Sequence, residues 1–337
     1  MKYKFLGNTG IKVSELCLGT MTFGGKGYWT AIGQLTQQAV DEIMKQSIDA
    51  GINFIDTANV YSEGLAEELT GKSIRNLGLK RDDLVIATKV RGKTGEGVNE
   101  IGLSRKHIMQ QVDESLKRLN IDYIDLYQIH GYDALTPIEE TIRVFDDLVK
   151  SGKVRYIGAS NIAAWQLMKA LAFSQHNNLA KFVSLQAYYT IAGRDLERGL
   201  VPLLNDQKVG LMVWSPLAGG FLSGKYSRNK NPEDARRLSF DFPPINKEKA
   251  FDIIDVMEPI AKSKNVSVAQ IALAWLLHQP AVTSVIIGAK NTEQLTQNLN
   301  AVDVQLTEDE LKQLDEVSKL TKEYPAWMLE RQGNDRK

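Results

Sequence analysis

Apolar residues in this chain gather into short continuous runs. Between the runs lie longer stretches in which apolar positions recur every three or four residues. The runs predict strands over 15–19, 54–56, 84–89, 123–130, 154–158, 182–186, 211–214 and 284–287. The amphipathic stretches predict helices over 36–50, 65–77, 104–119, 137–151, 163–173, 200–206, 247–264, 268–278, 292–300 and 307–320. Punctuation agrees with these limits. Gly51, Gly78 and Gly152 each stop a helix, Ser104 is placed to cap one, and Pro137 suits a first helical turn. Thr307 followed by Glu310 forms a capping box. Ahead of these elements, 3–13 predicts a hairpin turning at Gly7-Asn8-Thr9-Gly10.

Strand and helix alternate about eight times after the hairpin, which predicts an α/β fold of the (β/α)8 TIM-barrel type rather than a doubly wound sheet. Nothing in the composition splits the chain, so residues 1–337 are expected to form a single barrel domain. The stretch 215–246 after the seventh barrel strand is rich in Gly, Pro, Asn and Arg. It is too long for an ordinary connection and is expected to be a lid or binding loop.

Polar residues stand where these runs end. Asp56 closes one run, with Tyr61 shortly after it; Lys89 closes another, and His130 a third. Parallel barrels carry their chemistry at the carboxyl ends of the strands, so the four are expected to meet. Tyrosine is a weak acid, with a pKa of about 10, and a nearby ammonium such as Lys89 is expected to lower it. Asp56 would hold the lysine charged, and His130 would orient a carbonyl or share in proton transfer. Such a cluster donates a proton but holds no nucleophile. It suits hydride transfer to a carbonyl, with a cofactor as the source of the hydride.

Composition narrows the partners. Of 337 residues, 43% are hydrophobic and 24% charged, and Lys+Arg and Asp+Glu both number 41. The resulting net charge of zero gives no argument for nucleic acid or for an anionic membrane surface. No apolar run reaches the roughly 18 residues of a membrane span, and the N-terminus lacks the apolar core of a signal peptide, so a cytoplasmic protein is expected. The single cysteine, Cys17, reads as a small buried hydrophobe and excludes an internal disulfide. The stretch from Gly219 to Lys225 has phosphate-loop spacing, but Tyr226 follows where a Mg²⁺-binding Ser or Thr is needed. No Gly-x-Gly-x-x-Gly follows the first strand. His107, His176 and His278 have no metal-ligand spacing. Arg236-Arg237 reads as a solvated pair, with a weaker case for contact with a phosphate. Tyr28 with Trp29, and Tyr188 with Tyr189, are candidate apolar walls of a substrate pocket.

Several segments together resemble the aldo-keto reductases. Gly51-Ile52-Asn53-Phe54-Ile55-Asp56-Thr57-Ala58, with Tyr61 and Gly71 after it, is similar to a first signature of that family. Gly152-Lys153-Val154-Arg155-Tyr156-Ile157-Gly158-Ala159-Ser160-Asn161 is similar to a second. Trp214-Ser215-Pro216-Leu217-Ala218-Gly219-Gly220 and Ile287-Gly288-Ala289-Lys290-Asn291-Thr292-Glu293-Gln294 resemble its cofactor segments. The similarity runs from Gly19 to Asn298. The segment Gly220-Phe221-Leu222-Ser223-Gly224-Lys225-Tyr226 resembles the bacterial and plant-type enzymes and the potassium-channel β-subunits.

The resemblance implies an NADP-dependent oxidoreductase that reduces aldehydes or ketones to alcohols. Tyr61 would be the general acid, tuned by Lys89 and Asp56, with His130 orienting the carbonyl. Ser160, Asn161 and Gln186 would bind the nicotinamide carboxamide, and Trp214 would stack on its ring. Gly19, Thr20 and Met21 would lie under the cofactor. Ser215, Leu217, Gly219 and Lys225 would line the pyrophosphate. In the segment containing Gly288, Lys290 and Gln294 would take the 2′-phosphate, Gln297 would reach the adenine amine and Asn298 would bind the adenine. A cation at a glycine turn before a helix suits a phosphate, so NADPH is expected over NADH, which would bind more weakly. Many relatives carry Glu at the position of Gln297. The alternative is a cofactor-sensing binding subunit that docks a partner and turns over slowly. The absence of a segment before the hairpin weighs against that alternative.

Overall fold

The computed structural model describes residues 1–228, 237 and 240–334. Strands β1 (Tyr3–Phe5) and β2 (Lys12–Ser14) form an antiparallel hairpin. Eight parallel strands follow: β3 (Leu16–Gly19), β4 (Phe54–Asp56), β5 (Val85–Val90), β6 (Ile124–Ile129), β7 (Val154–Ser160), β8 (Phe182–Tyr188), β9 (Gly210–Trp214) and β10 (Val282–Ile287). They close in chain order, β10 pairing with β3, into the expected barrel.

The helices are α1 (Gln37–Asp49), α2 (Leu65–Asn76), α3 (Arg105–Leu119), α4 (Ile138–Lys150), α5 (Ala164–His176), α6 (Leu200–Gln207), α7 (Lys247–Lys264), α8 (Val268–His278), α9 (Thr292–Leu299), α10 (Glu308–Ser318) and α11 (Ala326–Asn334). Most limits fall within a residue or two of those expected. Ser104 caps α3, and Thr307 and Glu310 form the capping box of α10. Pro137 stands one position earlier than expected, flanking α4 rather than inside its first turn. Helix α11, absent from the sequence reading, carries only a short, exposed apolar pattern. Among the described residues no helix is long and apolar enough to cross a membrane.

The strands are buried on both faces, which explains why they read as continuous apolar runs rather than as alternation. One set of alternate residues points into the barrel: Cys17, Phe54, Val85, Ala87, Leu126, Met212 and Ile286 form an interior cluster. Leu6 and Val13 of the hairpin join that cluster and plug the amino-terminal end. The opposite set, including Leu18, Ile55, Ile86, Ile129, Leu185 and Val213, packs against the surrounding helices. Where α2 crosses α3, a Cβ on Gly71 would lie 2.1 Å from the Leu119 carbonyl oxygen, so only glycine permits this approach. Buried Glu67 of α2 accepts from Thr88 Oγ1 of β5 at 2.5 Å and from Arg118 Nε of α3 at 2.7 Å. These bonds pin β5 beside Lys89.

Followed toward the carboxyl ends, the inward set turns polar. Phe54 is succeeded by Asp56, Ala87 by Lys89, Leu126 by Gln128 and Gln128 by His130. On the next strands the same parity gives Ser160, Gln186 and Trp214. Alternation therefore carries the apolar interior directly into the candidate site.

Candidate functional site

The predicted cluster is assembled. Lys89 is wholly buried, yet its ammonium has three oxygen partners: Asp56 Oδ2 at 2.5 Å, the Thr57 carbonyl at 2.8 Å and Tyr61 Oη at 3.2 Å. Burial alone would lower the lysine pKa, but Asp56 and Tyr61 outweigh it and leave the group above its ordinary value. Lys89 is thus held charged at neutral pH. The expected lowering of the Tyr61 pKa is not the net result. Burial is the largest influence and raises it; Lys89 acts in the opposite direction, but Asp56 beside it cancels part of that charge. Tyr61 therefore rests as a protonated phenol.

Tyr61 reaches this position through an unusual turn. It opens a short 3-10 segment in which Ser62, Glu63 and Gly64 all have positive φ. Ser62 Oγ donates to the Phe23 carbonyl at 2.9 Å and secures the turn. Asn161 (φ 47°) and Ser215 (φ 52°) lie at other strand ends of the same face. Left-handed backbone of this kind gathers at functional sites, where the surrounding structure imposes it.

The His130 ring lies edge-on to Tyr61, with centroids 5.7 Å apart. Burial, then the charges of Lys89 and Arg91, push its pKa down to about 3, so the imidazole is neutral in the physiological range. Neither ring nitrogen has a partner among the described residues.

Asp56 uses both carboxylate oxygens. Oδ2 takes Lys89, while Oδ1 accepts from Gln128 Nε2 at 3.0 Å and Gln186 Nε2 at 2.9 Å. Gln128 was missed in the sequence, although its inward parity two residues before His130 marks it as a polar group entering the site. The Thr57 carbonyl was also missed, because a backbone acceptor leaves no trace in residue type.

The other predicted residues rim the same end of the barrel. Ser160 Oγ donates to the Gln186 carbonyl at 2.8 Å. Asn161 is largely committed inside the protein: its amide nitrogen donates to the His130 carbonyl and to Ser160 Oγ, and its oxygen accepts from Trp214 Nε1 at 3.1 Å. Thr20 Oγ1 is buried with no partner among the described residues. A Cβ on Gly19 would strike Ile286. Met21 is half-buried. Ser215 Oγ accepts from the Gly219 amide at 2.9 Å, which closes a tight turn under half-buried Leu217. Lys225 and Gln297 are exposed. After β10, Gly288 is open: the nearest atom to a Cβ there is 3.9 Å away. Lys290 is exposed ahead of α9, with its backbone amide bound by Gln294 Oε1 at 3.0 Å. Asn298 is buried and donates to the Gly288 carbonyl at 3.2 Å.

Aromatic rings line the mouth. Trp29 meets Tyr61 at 5.1 Å, Tyr28 meets both Trp29 and Phe240, Phe240 meets Phe242, and Phe242 stacks on Trp214 at 5.9 Å. Tyr188 tilts against Trp214 at 5.1 Å. The expectation for Tyr189 fails: its opposite parity turns it outward, where it packs on Trp275 and donates to Glu197 at 2.6 Å. The loop phenylalanines were missed because an irregular segment has no periodicity to read. Arg237 is not solvated. It is buried, donates to the Ala218 and Pro243 carbonyls and pairs with Asp241 at 2.5 Å, which holds Asp241 and Pro243 beside the Ser215–Gly219 turn. Arg236 lies outside the described residues. Among the described residues no group of His, Cys, Asp and Glu could hold a metal ion. Cys17 is buried as expected.

The residues fit a nicotinamide dinucleotide. The Thr20 hydroxyl and Gln186 Oε1, neither with a partner among the described residues, leave polar atoms for a ligand, and Gly288 leaves space ahead of Lys290. Comparison with known proteins agrees. The model of the aldo/keto reductase family matches residues 15–319. A probable voltage-gated potassium channel subunit beta from Arabidopsis thaliana is 39% identical, over 90% of this chain and 92% of its own. An uncharacterized oxidoreductase from Bacillus subtilis is 37% identical, over 94% and 96%. Versiconal hemiacetal acetate reductase from Aspergillus parasiticus is 34% identical, over 94% and 96%. These matches support an oxidoreductase that works with a nicotinamide cofactor on small carbonyl compounds. The chain belongs to the aldo/keto reductase family.

Proposed function

We propose that this protein is an NADPH-dependent reductase that converts aldehydes or ketones to alcohols, with Tyr61 as the general acid. The observation that carries this reading is the buried chain Asp56–Lys89–Tyr61, whose open end is a protonated phenol beside a neutral imidazole. A bound nicotinamide supplies the hydride. As negative charge grows on a carbonyl oxygen, Tyr61 Oη gives up its proton. The phenolate that forms lies 3.2 Å from the Lys89 ammonium, which stabilises it without rearrangement. High resting acidity is unnecessary, because Lys89 acts when the charge develops. Neutral His130 can donate one N–H to the same carbonyl oxygen without competing for the proton. The aromatic rim gives the mouth an apolar lining that suits a carbonyl carrying an apolar group.

For the cofactor, Gln186, Ser160, Asn161 and Trp214 would hold the nicotinamide end. Gly19, Thr20 and Met21 would lie under the cofactor, Ser215, Leu217, Gly219 and Lys225 would line the pyrophosphate, and Gly288 would belong to the segment that binds the adenosine end. Lys290 and Gln294 would take the 2′-phosphate, with Gln297 and Asn298 at the adenine. Lys290 supports the NADPH preference, since its ammonium forms no ion pair among the described residues. Tyr61→Phe should lower kcat for an aldehyde by at least about a hundredfold, the usual range for a lost general acid, with the Kd for NADPH nearly unchanged. Absorbance at 340 nm and a fluorescence titration read the two quantities, and unchanged kcat would remove Tyr61 from the role. The likeness to a channel subunit beta motivates a second reading, a binding subunit with slow turnover. Tight NADPH binding with no turnover on any aldehyde would favour it.

A further inference from the structure

Resting on the reductase reading, we propose that Gln128 is a positioning residue that orients two working groups at once: the Asp56 carboxylate of the proton-donor chain and the Gln186 amide facing the cofactor.

Asp56 Oδ1 only accepts, so the two amides that reach it must both present nitrogen. Gln128 Nε2 donates to Oδ1 at 3.0 Å, and Gln186 Nε2 donates to the same atom at 2.9 Å. The second hydrogen of Gln186 Nε2 points to Gln128 Oε1, at 3.4 Å. Gln128 therefore closes a triangle, donating to the carboxylate and accepting from the neighbouring amide. Both hydrogens of Gln186 are then committed, and its orientation is fixed. Its Oε1, with no partner among the described residues, is left as an acceptor toward the mouth, the role needed for the amide hydrogens of a carboxamide. The same triangle holds Asp56 Oδ1 in place while Oδ2 meets Lys89 at 2.5 Å.

The surroundings are built for this side chain. Gln128 is wholly buried, so its amide has no water to fall back on. Across the β6–β7 ladder it is paired with Gly158. A Cβ on Gly158 would lie 3.1 Å from Gln128 Cγ and 2.6 Å from Ser184 Oγ. The missing side chain of Gly158 makes the room in which Gln128 lies. An apolar residue at position 128 would fill the barrel equally well, so the amide's use lies in its hydrogen bonds.

Gln128→Met keeps the shape and removes the amide. Each lost hydrogen bond to a charged or oriented partner is worth roughly a factor of ten, so kcat should fall about tenfold or more while KM for the carbonyl stays level. In the same variant the Kd for NADPH, read by fluorescence, should rise several-fold. A merely structural role would lower the folded fraction and leave both values per folded molecule unchanged. Wild-type kcat and Kd in Gln128→Met would overturn the proposal. Gln128→Glu provides an independent arm should the Met variant fail to fold. Burial and the adjacent Asp56 carboxylate would raise the pKa of the new carboxyl, so it would ionise only as pH rises and suppress turnover there. Its protonated form could again donate to Oδ1, so activity relative to wild type should recover as pH falls. A pH profile parallel to wild type would overturn the proposal as well. Failure of the reductase reading is separable: wild-type protein that binds NADPH but reduces no aldehyde removes that reading alone, and a raised Kd in Gln128→Met would still support the positioning role.

Discussion

At the scale of single residues, the candidate site sets a charged group beside neutral ones. Lys89 stays charged because Asp56 is 2.5 Å away; Tyr61 and His130 stay neutral because burial dominates their surroundings. The histidine makes a prediction about stability. Its folded pKa of about 3 lies below its unfolded value, about 6.5. Between these values the unfolded chain binds a proton that the folded chain does not. Stability contributed by this group is therefore present above pH 6.5 and is lost as pH falls toward 3. Between pH 6.5 and 5 the loss should be on the order of 1–2 kcal/mol, allowing for the partial exposure of the ring. Urea unfolding across that window should show a steeper decline for wild type than for His130→Asn. Equal declines would contradict the depressed value. His107, also lowered by burial, acts in the same direction in both proteins and cancels in the comparison.

At the scale of elements, strand ends and helix starts hold opposite ends of the expected cofactor path. The strands deliver Asp56, Lys89, Gln128, Ser160 and Gln186 by alternation. Beyond β10 the chain turns through Gly288 and enters α9, capped by Asn291, whose side chain accepts from the Gln294 amide at 2.8 Å. Lys290 stands just ahead of that cap, where the helix dipole and an ammonium both favour an anion. Lys290→Ala should therefore raise the Kd for NADPH by about tenfold and leave that for NADH within about twofold, the difference expected for one charge-assisted contact. Parallel fluorescence titrations decide this, and equal effects on both cofactors would reject the 2′-phosphate assignment. The long loop after β9 contributes differently. Arg237 anchors it on the Ala218 and Pro243 carbonyls, and its phenylalanines complete the aromatic rim.

At the scale of the whole molecule, the two barrel ends separate stability from chemistry. The hairpin closes the amino-terminal end, with Leu6 fully buried in the interior cluster. A Cβ on Gly7 would lie 2.2 Å from the Val183 carbonyl oxygen, so the hairpin is pressed hard against the barrel floor. Leu6→Ala should cost about 2–5 kcal/mol of stability, the range for a large buried aliphatic residue. Measured at a temperature where the variant remains folded, kcat and the Kd for NADPH should match wild type, because the tetrad lies at the opposite end. A loss of kcat without loss of stability would show that the two ends are coupled.

The sequence by itself determined the barrel and the identity of the groups at the carboxyl ends of its strands. Eight buried strands read as apolar runs, caps and glycines marked the helices, and Asp56, Lys89 and His130 were legible as polar residues closing those runs. Local periodicity carries that information because strand parity and helix repeat are properties of neighbouring residues. Only the tertiary structure decided how those groups behave. The upward net shift of Tyr61 depends on burial by elements remote in sequence. The inward turn of Arg237 and the outward turn of Tyr189 depend on where a loop folds and which face a residue takes after its strand ends. The triangle of Asp56, Gln128 and Gln186 joins β4, β6 and β8, which touch only because the barrel closes around them. A hydrogen bond is set by distance and direction between atoms, and for residues far apart in the chain those are fixed by the fold.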